Sequence, residues 1–318
     1  MKSGRGKILL TEPVHEILVN GLKDIGFQVD FMPEHDHNYF KSIIHDYIGV
    51  ITRNRIRFDR ALLEKARSLK FIGRVGSGME NIDVGYATQR GISCLSSPEG
   101  SRDAVGEHTI AMLLALANNI NRADREVRAG TWRREANRGF EIKGKTIGII
   151  GYGNMGSAFA VKLSGFGVKV IAYDKYKSNY SDRFVKEVDM PAIFKETDVL
   201  SIHVPLTDET HHLVNDDYLE QFNKPIILIN TARGPVVDTS SLVRAMKSGK
   251  VTGAALDVLE YEKYSLDGLE PTQVPDPMKY LIAADNVILT PHVAGWTVES
   301  GIKLSSVLLD KIKKEFEI

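Results

Sequence analysis

The stretch Thr146–Asp174, TIGIIGYGNMGSAFAVKLSGFGVKVIAYD, decides the fold. It reads as a hydrophobic strand, a glycine-rich turn, a helix and a second strand ending on an acid. Gly151, Gly153 and Gly156 have the spacing that holds a dinucleotide. The first permits a tight turn, the second lets backbone approach a pyrophosphate, and the third lets helix and strand pack closely. Asn154 and Met155 open the helix, so its unpaired N–H groups and the positive end of its dipole would face the phosphates. Asp174 ends the strand, where a carboxylate accepts hydrogen bonds from a ribose and repels a 2′-phosphate; NAD is therefore expected rather than NADP. Lys175 follows the acid and is placed to offset part of its charge. Glycine-rich turns are common between any strand and helix. Here the flanking strands and an acid about 20 residues on accompany the glycines, which favours the dinucleotide reading.

Outward from this motif, strand and helix patterns alternate in both directions. Toward the N-terminus, KILLT (7–11), FQVDF (27–31), IGVIT (48–52), LKFIGRV (69–75) and ISCL (92–95) read as strands. Helices are expected to begin near Val14, His37, Asp59 and Asn81; Asp59–Leu69 is the clearest, with Asp59 as its cap. Toward the C-terminus the alternation continues through DVLSIHV, IILIN, GAALDV and NVILT. This pattern predicts an α/β chain of two doubly wound parallel-sheet domains, a flavodoxin-like substrate domain and a Rossmann NAD-binding domain. A long helix from Arg102 to Arg128 is expected at the junction. The last helical stretch, Val298–Phe316, is expected to return to the first domain. The substrate domain would then be discontinuous, 1–100 with 291–318, and 101–290 would be the NAD-binding domain.

Bulk properties exclude several classes. The 318 residues suit two domains, with 43% hydrophobic and 26% charged residues. Lys plus Arg and Asp plus Glu are both 41, so no net field favours nucleic acid or a membrane surface. The longest apolar run, Ile110–Ala117, is far short of the roughly 20 residues that span a bilayer. Cys94 is the only cysteine, so no intrachain disulfide can form, and the first apolar stretch is too short for a signal peptide. A cytoplasmic location is expected. His35, His37, His211 and His212 lack thiolates or HExxH spacing, so no metal site is expected.

Three further clusters carry chemistry. Arg233 lies in INTARGPVVD (229–238), Asp257 and Glu262 in GAALDVLEYE (253–262), and His292 in LTPHVAGWT (289–297). Each follows a strand, at the edge of an open parallel sheet where ligands bind. The planar fork of Arg233 suits a carboxylate. Taken singly, each has an ordinary structural reading: a solvated ion pair, a surface acid, a packing histidine. Together, downstream of a nucleotide motif, they favour convergence on one cleft.

With these motifs the chain resembles the D-isomer-specific 2-hydroxyacid dehydrogenases over nearly its whole length. The family's arginine motif is matched by Asn230–Gly234 with Val237 and Asp238. Its acidic motif is matched by Ala254–Val258 with Glu262 five residues after Asp257, and its histidine motif by Thr290–His292 with Gly295. Arg74-Val75-Gly76-Ser77-Gly78 and Asn81-Ile82-Asp83 resemble its substrate loop. The resemblance implies that Arg233 binds the substrate carboxylate and that backbone N–H groups of Val75, Gly76, Ser77 and Gly78 hold its other side. His292 would exchange the proton and Glu262 would fix the imidazole. Asp257 and Thr231, Ala232 and Arg233 would line the nicotinamide, with Ser77, Val204, His292 and Gly295 nearby.

Within the family the resemblance is nearest to phosphoglycerate dehydrogenase, where Arg53 and Arg74 would meet a substrate phosphate. It implies a small 2-hydroxy or 2-keto acid as partner. It also implies a homodimer formed through Arg102–Arg128 and the segment around Trp132 and Arg134. The alternatives are a glyoxylate, hydroxypyruvate or D-lactate type reductase, and a non-catalytic NAD-sensing protein of the co-repressor kind. The chain departs from the family pattern at Lys263, where proline is usual, in the long segment 264–285, and at Trp296. No module for serine feedback is expected.

Overall fold

The computed structural model describes residues 5–262 and 274–317; Lys263 and the first part of the long segment after it lie outside the described residues. The chain divides into two compact units. One comprises the described residues up to Arg102 together with Trp296 onward, and the other runs from Asp103 to Gly295.

The first unit is built on β1 (Lys7–Leu10), β2 (Gln28–Phe31), β3 (Gly49–Thr52), β4 (Phe71–Arg74) and β5 (Ser93–Ser96). These pair in parallel in the order β2-β1-β3-β4-β5, the flavodoxin-like arrangement. The central strand β3 is buried at every residue, as a strand covered on both faces must be. Leu9, Val50 and Ile72 point into one apolar cluster, while Ile8, Leu10, Ile51 and Phe71 point into the other. The second cluster is completed by Leu304, Leu308, Leu309 and Ile312 of the C-terminal helix, Val298–Glu315. That helix starts in a reciprocal capping box: the Thr297 hydroxyl accepts the Ser300 N–H, and the Ser300 hydroxyl accepts the Thr297 N–H. Each fully buried Leu or Ile contributes about 1.5–3 kcal/mol, so this four-residue stripe fixes the helix on the sheet.

In the second unit the strands are β6 (Thr146–Ile150), β7 (Lys169–Tyr173), β8 (Lys186–Glu187), β9 (Val199–Ile202), β10 (Ile226–Asn230), β11 (Val251–Leu256) and β12 (Val287–Leu289). Their order is β12-β11-β10-β9-β6-β7-β8, all parallel. This is a Rossmann sheet whose direction of winding reverses between β6 and β9, where such sheets bind nucleotides. Ile147 and Ile149 face the cluster that holds Met112, Leu113 and Leu116, whereas Ile150 faces the opposite one. Among the described residues no helix is long and apolar enough to cross a membrane.

Three local expectations fail. The stretch Arg102–Arg128 is two helices, Arg102–Ala117 and Ile120–Arg128, because Asn119 adopts a left-handed φ of 53°. Asn is among the few side chains that tolerate that region. The helix after Asp59 spans only Arg60–Leu63. Lys65 and Ala66 donate to carbonyls three residues back, so the chain tightens and turns inward to reach β4. The following helix starts at Val84, capped by Asp83, rather than near Asn81. The two-residue strand β8 was not anticipated; it carries Lys and Glu on a sheet edge.

Candidate active site

The glycine turn after β6 is shaped for a phosphate-bearing ligand. Gly151 has a φ of +90°, and a Cβ there would stand 2.5 Å from the His203 carbonyl oxygen. Beside it Val204 is half-buried, its Cγ1 2.9 Å from the same point. A Cβ on Gly156 would stand 2.2 Å from the Gly151 oxygen. These two glycines are required by the fold. Gly153 is different, since a Cβ there would meet nothing within 4 Å. The protein alone leaves that space open, as a close-approaching pyrophosphate requires. Gly153 is also the N-cap of the helix Asn154–Lys162, and no side chain caps it. The first N–H groups, at Asn154, Met155 and Gly156, are thus free for an anion. The residues present fit a dinucleotide.

Asp174 ties the turn together as well as facing outward. Its Oδ2 accepts the Tyr152 N–H at 2.8 Å, and its Oδ1 accepts those of Tyr176 and Lys177 at 2.9 and 3.1 Å. Lys175 does not offset it: that ammonium pairs with Glu209 at 2.9 Å. His203 is half-buried, its Nε2 2.8 Å from the Ser201 hydroxyl, and burial pushes its pKa down to about 4. It is a neutral wall of the switch point.

Beyond β10, Asn230 folds the arginine turn. Its side-chain amide donates to the Arg233 carbonyl at 2.9 Å and accepts the Ala232 N–H at 3.0 Å. A Cβ on Gly234 would stand 2.0 Å from the Leu259 carbonyl, so this turn packs directly on the segment leading to Glu262. The Glu262 carboxylate accepts the Leu259 N–H at 2.7 Å and faces His292 Nδ1 at 2.9 Å. A carboxylate only accepts, so Nδ1 carries the proton and Nε2 is the free end of the ring. The Glu262 hydrogen bond and charge hold the imidazole above its ordinary pKa; burial and the nearby Arg233 guanidinium pull the other way, and Asp257 adds to the rise. The structure therefore brings Arg233, Glu262 and His292 together.

Asp257 braces the histidine loop. It is 1% exposed, and its oxygens are turned into the histidine loop rather than outward. It accepts the Thr290 hydroxyl at 2.6 Å and the N–H groups of Val293 and Ala294 at 2.9 Å each. These bonds, with His292 N–H donating to the Asp257 carbonyl at 2.8 Å, hold His292 at a φ of 55°. A left-handed non-glycine residue costs about 1–3 kcal/mol, so the loop is braced to aim the imidazole. Thr231 and Ala232 are both buried, and Gly295 ends this unit.

The first unit carries the other expected residues. The half-buried Arg53 guanidinium lies 4.2 Å over the Trp296 ring. Burial lowers its pKa and the Glu12 charge partly restores it. Glu12 clamps this loop by accepting the N–H groups of Arg53, Asn54 and Arg55. Arg74 donates to Asn54 and to the Val75 carbonyl. The loop Val75–Gly78 offers fewer donors than its motif implied. The Val75 N–H goes to Thr52, and the Gly76 N–H to the Arg74 carbonyl and the Ser97 hydroxyl. The geometry of β4 and its exit consumes both, which leaves Ser77 and Gly78.

Comparison with known proteins decides the family. Residues 110–294 match the family model "D-isomer specific 2-hydroxyacid dehydrogenase, NAD binding domain". This chain belongs to the D-isomer-specific 2-hydroxyacid dehydrogenases. Its second unit is the NAD-binding domain of that family. A D-3-phosphoglycerate dehydrogenase of Archaeoglobus fulgidus is 36% identical over 96% of this chain and 56% of its own length. A hydroxypyruvate reductase of Thermotoga maritima is also 36% identical, over 92% of each chain. A structure of Aquifex aeolicus D-lactate dehydrogenase complexed with NAD and lactic acid is 29% identical. It superposes with a TM-score of 0.80 over 98% of this chain and 95% of its own. The chain spans little more than half the length of the phosphoglycerate dehydrogenase it matches.

Motif reading missed Glu12 and His108, and it gave Thr290 no role of its own within the histidine motif. An acid following the first strand was a signal for Glu12. Nothing local marks His108, whose partners lie 149 and 182 residues away in sequence.

Proposed function

We propose that this dehydrogenase-family member interconverts a D-2-hydroxy acid and its 2-keto acid with NAD. The observation that carries the reading is the 2.9 Å pair between His292 Nδ1 and Glu262, beside the Arg233 guanidinium. Arg233 binds the substrate carboxylate by its planar fork and polarises the carbonyl at C2. In reduction the His292 imidazolium gives its Nε2 proton to the ketone oxygen; in oxidation the neutral ring takes that proton as general base. Glu262 stabilises the charged ring and fixes its orientation. When bound, the reduced nicotinamide supplies the hydride to C2.

For the substrate, our first assignment is the 3-phosphoglycerate pair. The 36% identity to a D-3-phosphoglycerate dehydrogenase over 96% of this chain supports that assignment. The equal identity to a hydroxypyruvate reductase supports an unphosphorylated acid as the second assignment. A panel of 3-phosphohydroxypyruvate, hydroxypyruvate, glyoxylate and pyruvate, each with NADH and NADPH, separates them. Preferred turnover of an unphosphorylated acid overturns the first assignment. Tight NADH binding with no turnover of any acid points to a sensor of the co-repressor kind. We also propose a homodimer, supported by the exposed apolar side chains Ile120, Val127, Trp132 and Phe140. A monomer in sedimentation refutes it.

A further inference from the structure

His108 sits on the helix Arg102–Ala117, one turn before Met112 and next to Thr109. That helix packs on the sheet through apolar residues, Met112, Leu113 and Leu116. An imidazole on such a surface adds no packing that Leu or Phe could not supply. What distinguishes it is where its nitrogen points. His108 Nε2 lies 3.1 Å from the Thr290 hydroxyl and 3.5 Å from the buried Asp257 carboxylate.

The direction of these bonds follows from proton counting. Thr290 has one hydroxyl proton, and its short 2.6 Å bond gives that proton to Asp257. The Thr290 oxygen must then accept from His108, so Nε2 carries a hydrogen aimed at both Thr290 and Asp257. Asp257 in turn holds the N–H groups of Val293 and Ala294, the residues that follow His292. The neighbouring Thr109 reaches the other catalytic segment: its hydroxyl lies 3.3 Å from that of Thr231, two residues before Arg233. Thr109 gives its own proton to Val105 at 2.6 Å, so Thr231 is the donor. One helical turn thus touches both the histidine loop and the arginine turn.

We propose that His108 is a positioning residue for the reaction: acting through Thr290 and Asp257, it holds the histidine loop in the left-handed conformation that aims His292. This rests on the proposed dehydrogenase reading, with His292 as the proton-transfer group. The test compares His108→Leu, which keeps bulk and removes the donor, with His108→Gln, whose side-chain N–H stands where Nε2 was. Both are measured as full chains for kcat and KM with NADH and the best 2-keto acid of the panel, and for NADH affinity. Residue-resolved hydrogen exchange of the Val293 and Ala294 amides is measured without nucleotide.

For His108→Leu we expect kcat to fall roughly tenfold, about the factor one lost hydrogen bond is worth. KM and NADH affinity stay within about threefold, and exchange at Val293 and Ala294 accelerates by a similar factor. His108→Gln restores both kcat and protection. Unchanged exchange and kcat in His108→Leu overturn the proposal. So does a Gln variant that falls as far as Leu, which would mean that only shape matters. Failure of the wild type to turn over any acid strikes the dehydrogenase reading instead, and the exchange measurement still decides whether His108 braces the loop.

Discussion

Replacing Gly153 by alanine separates what the fold needs from what the ligand needs. A Cβ at Gly153 meets no heavy atom within 4 Å, and the backbone there is nearly extended, with φ −87° and ψ −152°. Loss of glycine's freedom in the unfolded chain offers about 0.4–1 kcal/mol of stability, against slight strain in ψ. Thermal unfolding without nucleotide should therefore be unchanged within about 1 kcal/mol. The added methyl group stands before the uncapped N–H groups of the helix Asn154–Lys162 and keeps a phosphate from reaching them. Each hydrogen bond lost to a charged group costs about 1.5–3 kcal/mol, or roughly 10- to 150-fold in NADH Kd. Gly156→Ala is the control. Its Cβ would lie 2.2 Å from a backbone oxygen, so the fold itself must shift. Overpacking of this kind costs about 1–3 kcal/mol, which lowers Tm by roughly 2–12 °C in a unit of this size. NADH titration by fluorescence beside thermal scans reads both quantities. The reasoning fails if Gly153→Ala binds NADH as the wild type does, or melts as early as Gly156→Ala.

Two further substitutions bear on the site. His292→Ala should lower turnover by roughly 10²–10⁴-fold, the usual share of general acid–base catalysis, with NADH affinity kept; an unchanged rate removes His292 from the mechanism. Asp174→Ser should raise the ratio of NADPH to NADH use, since the repelling carboxylate is gone. Absolute NADH affinity should also fall, because Asp174 holds the N–H groups of Tyr152, Tyr176 and Lys177. A wild type that already prefers NADPH contradicts that expectation.

Much of the fold was legible because parallel strands buried on both faces read as unbroken apolar runs. Ile147–Ile150 and Ile226–Asn230 could be placed within a residue for that reason. Helix ends were less legible, since they are settled by single residues in tertiary context: Asn119 breaks one helix, and the short path from Leu63 to β4 curtails another. The pairing of Glu262 with His292 came from motif resemblance. Residue spacing alone gives no reason why two side chains 30 positions apart should meet. The inward turn of Asp257 and the consumed amides of Val75 and Gly76 were invisible for the same reason. Each depends on a partner brought from a distant strand or helix.

The central claim is that Glu262 keeps the His292 imidazole charged for proton donation. The pH dependence of kcat/KM for keto-acid reduction, in wild type and Glu262→Gln, tests it most directly. Reduction needs the imidazolium, so activity is lost as pH rises through its pKa. The hydrogen bond and charge of Glu262 raise that pKa, and removing the charge lowers it. The alkaline limb of the variant should therefore move to lower pH, and the acid limb of the oxidation profile should move the same way. Limbs that stay where the wild type has them would contradict the account.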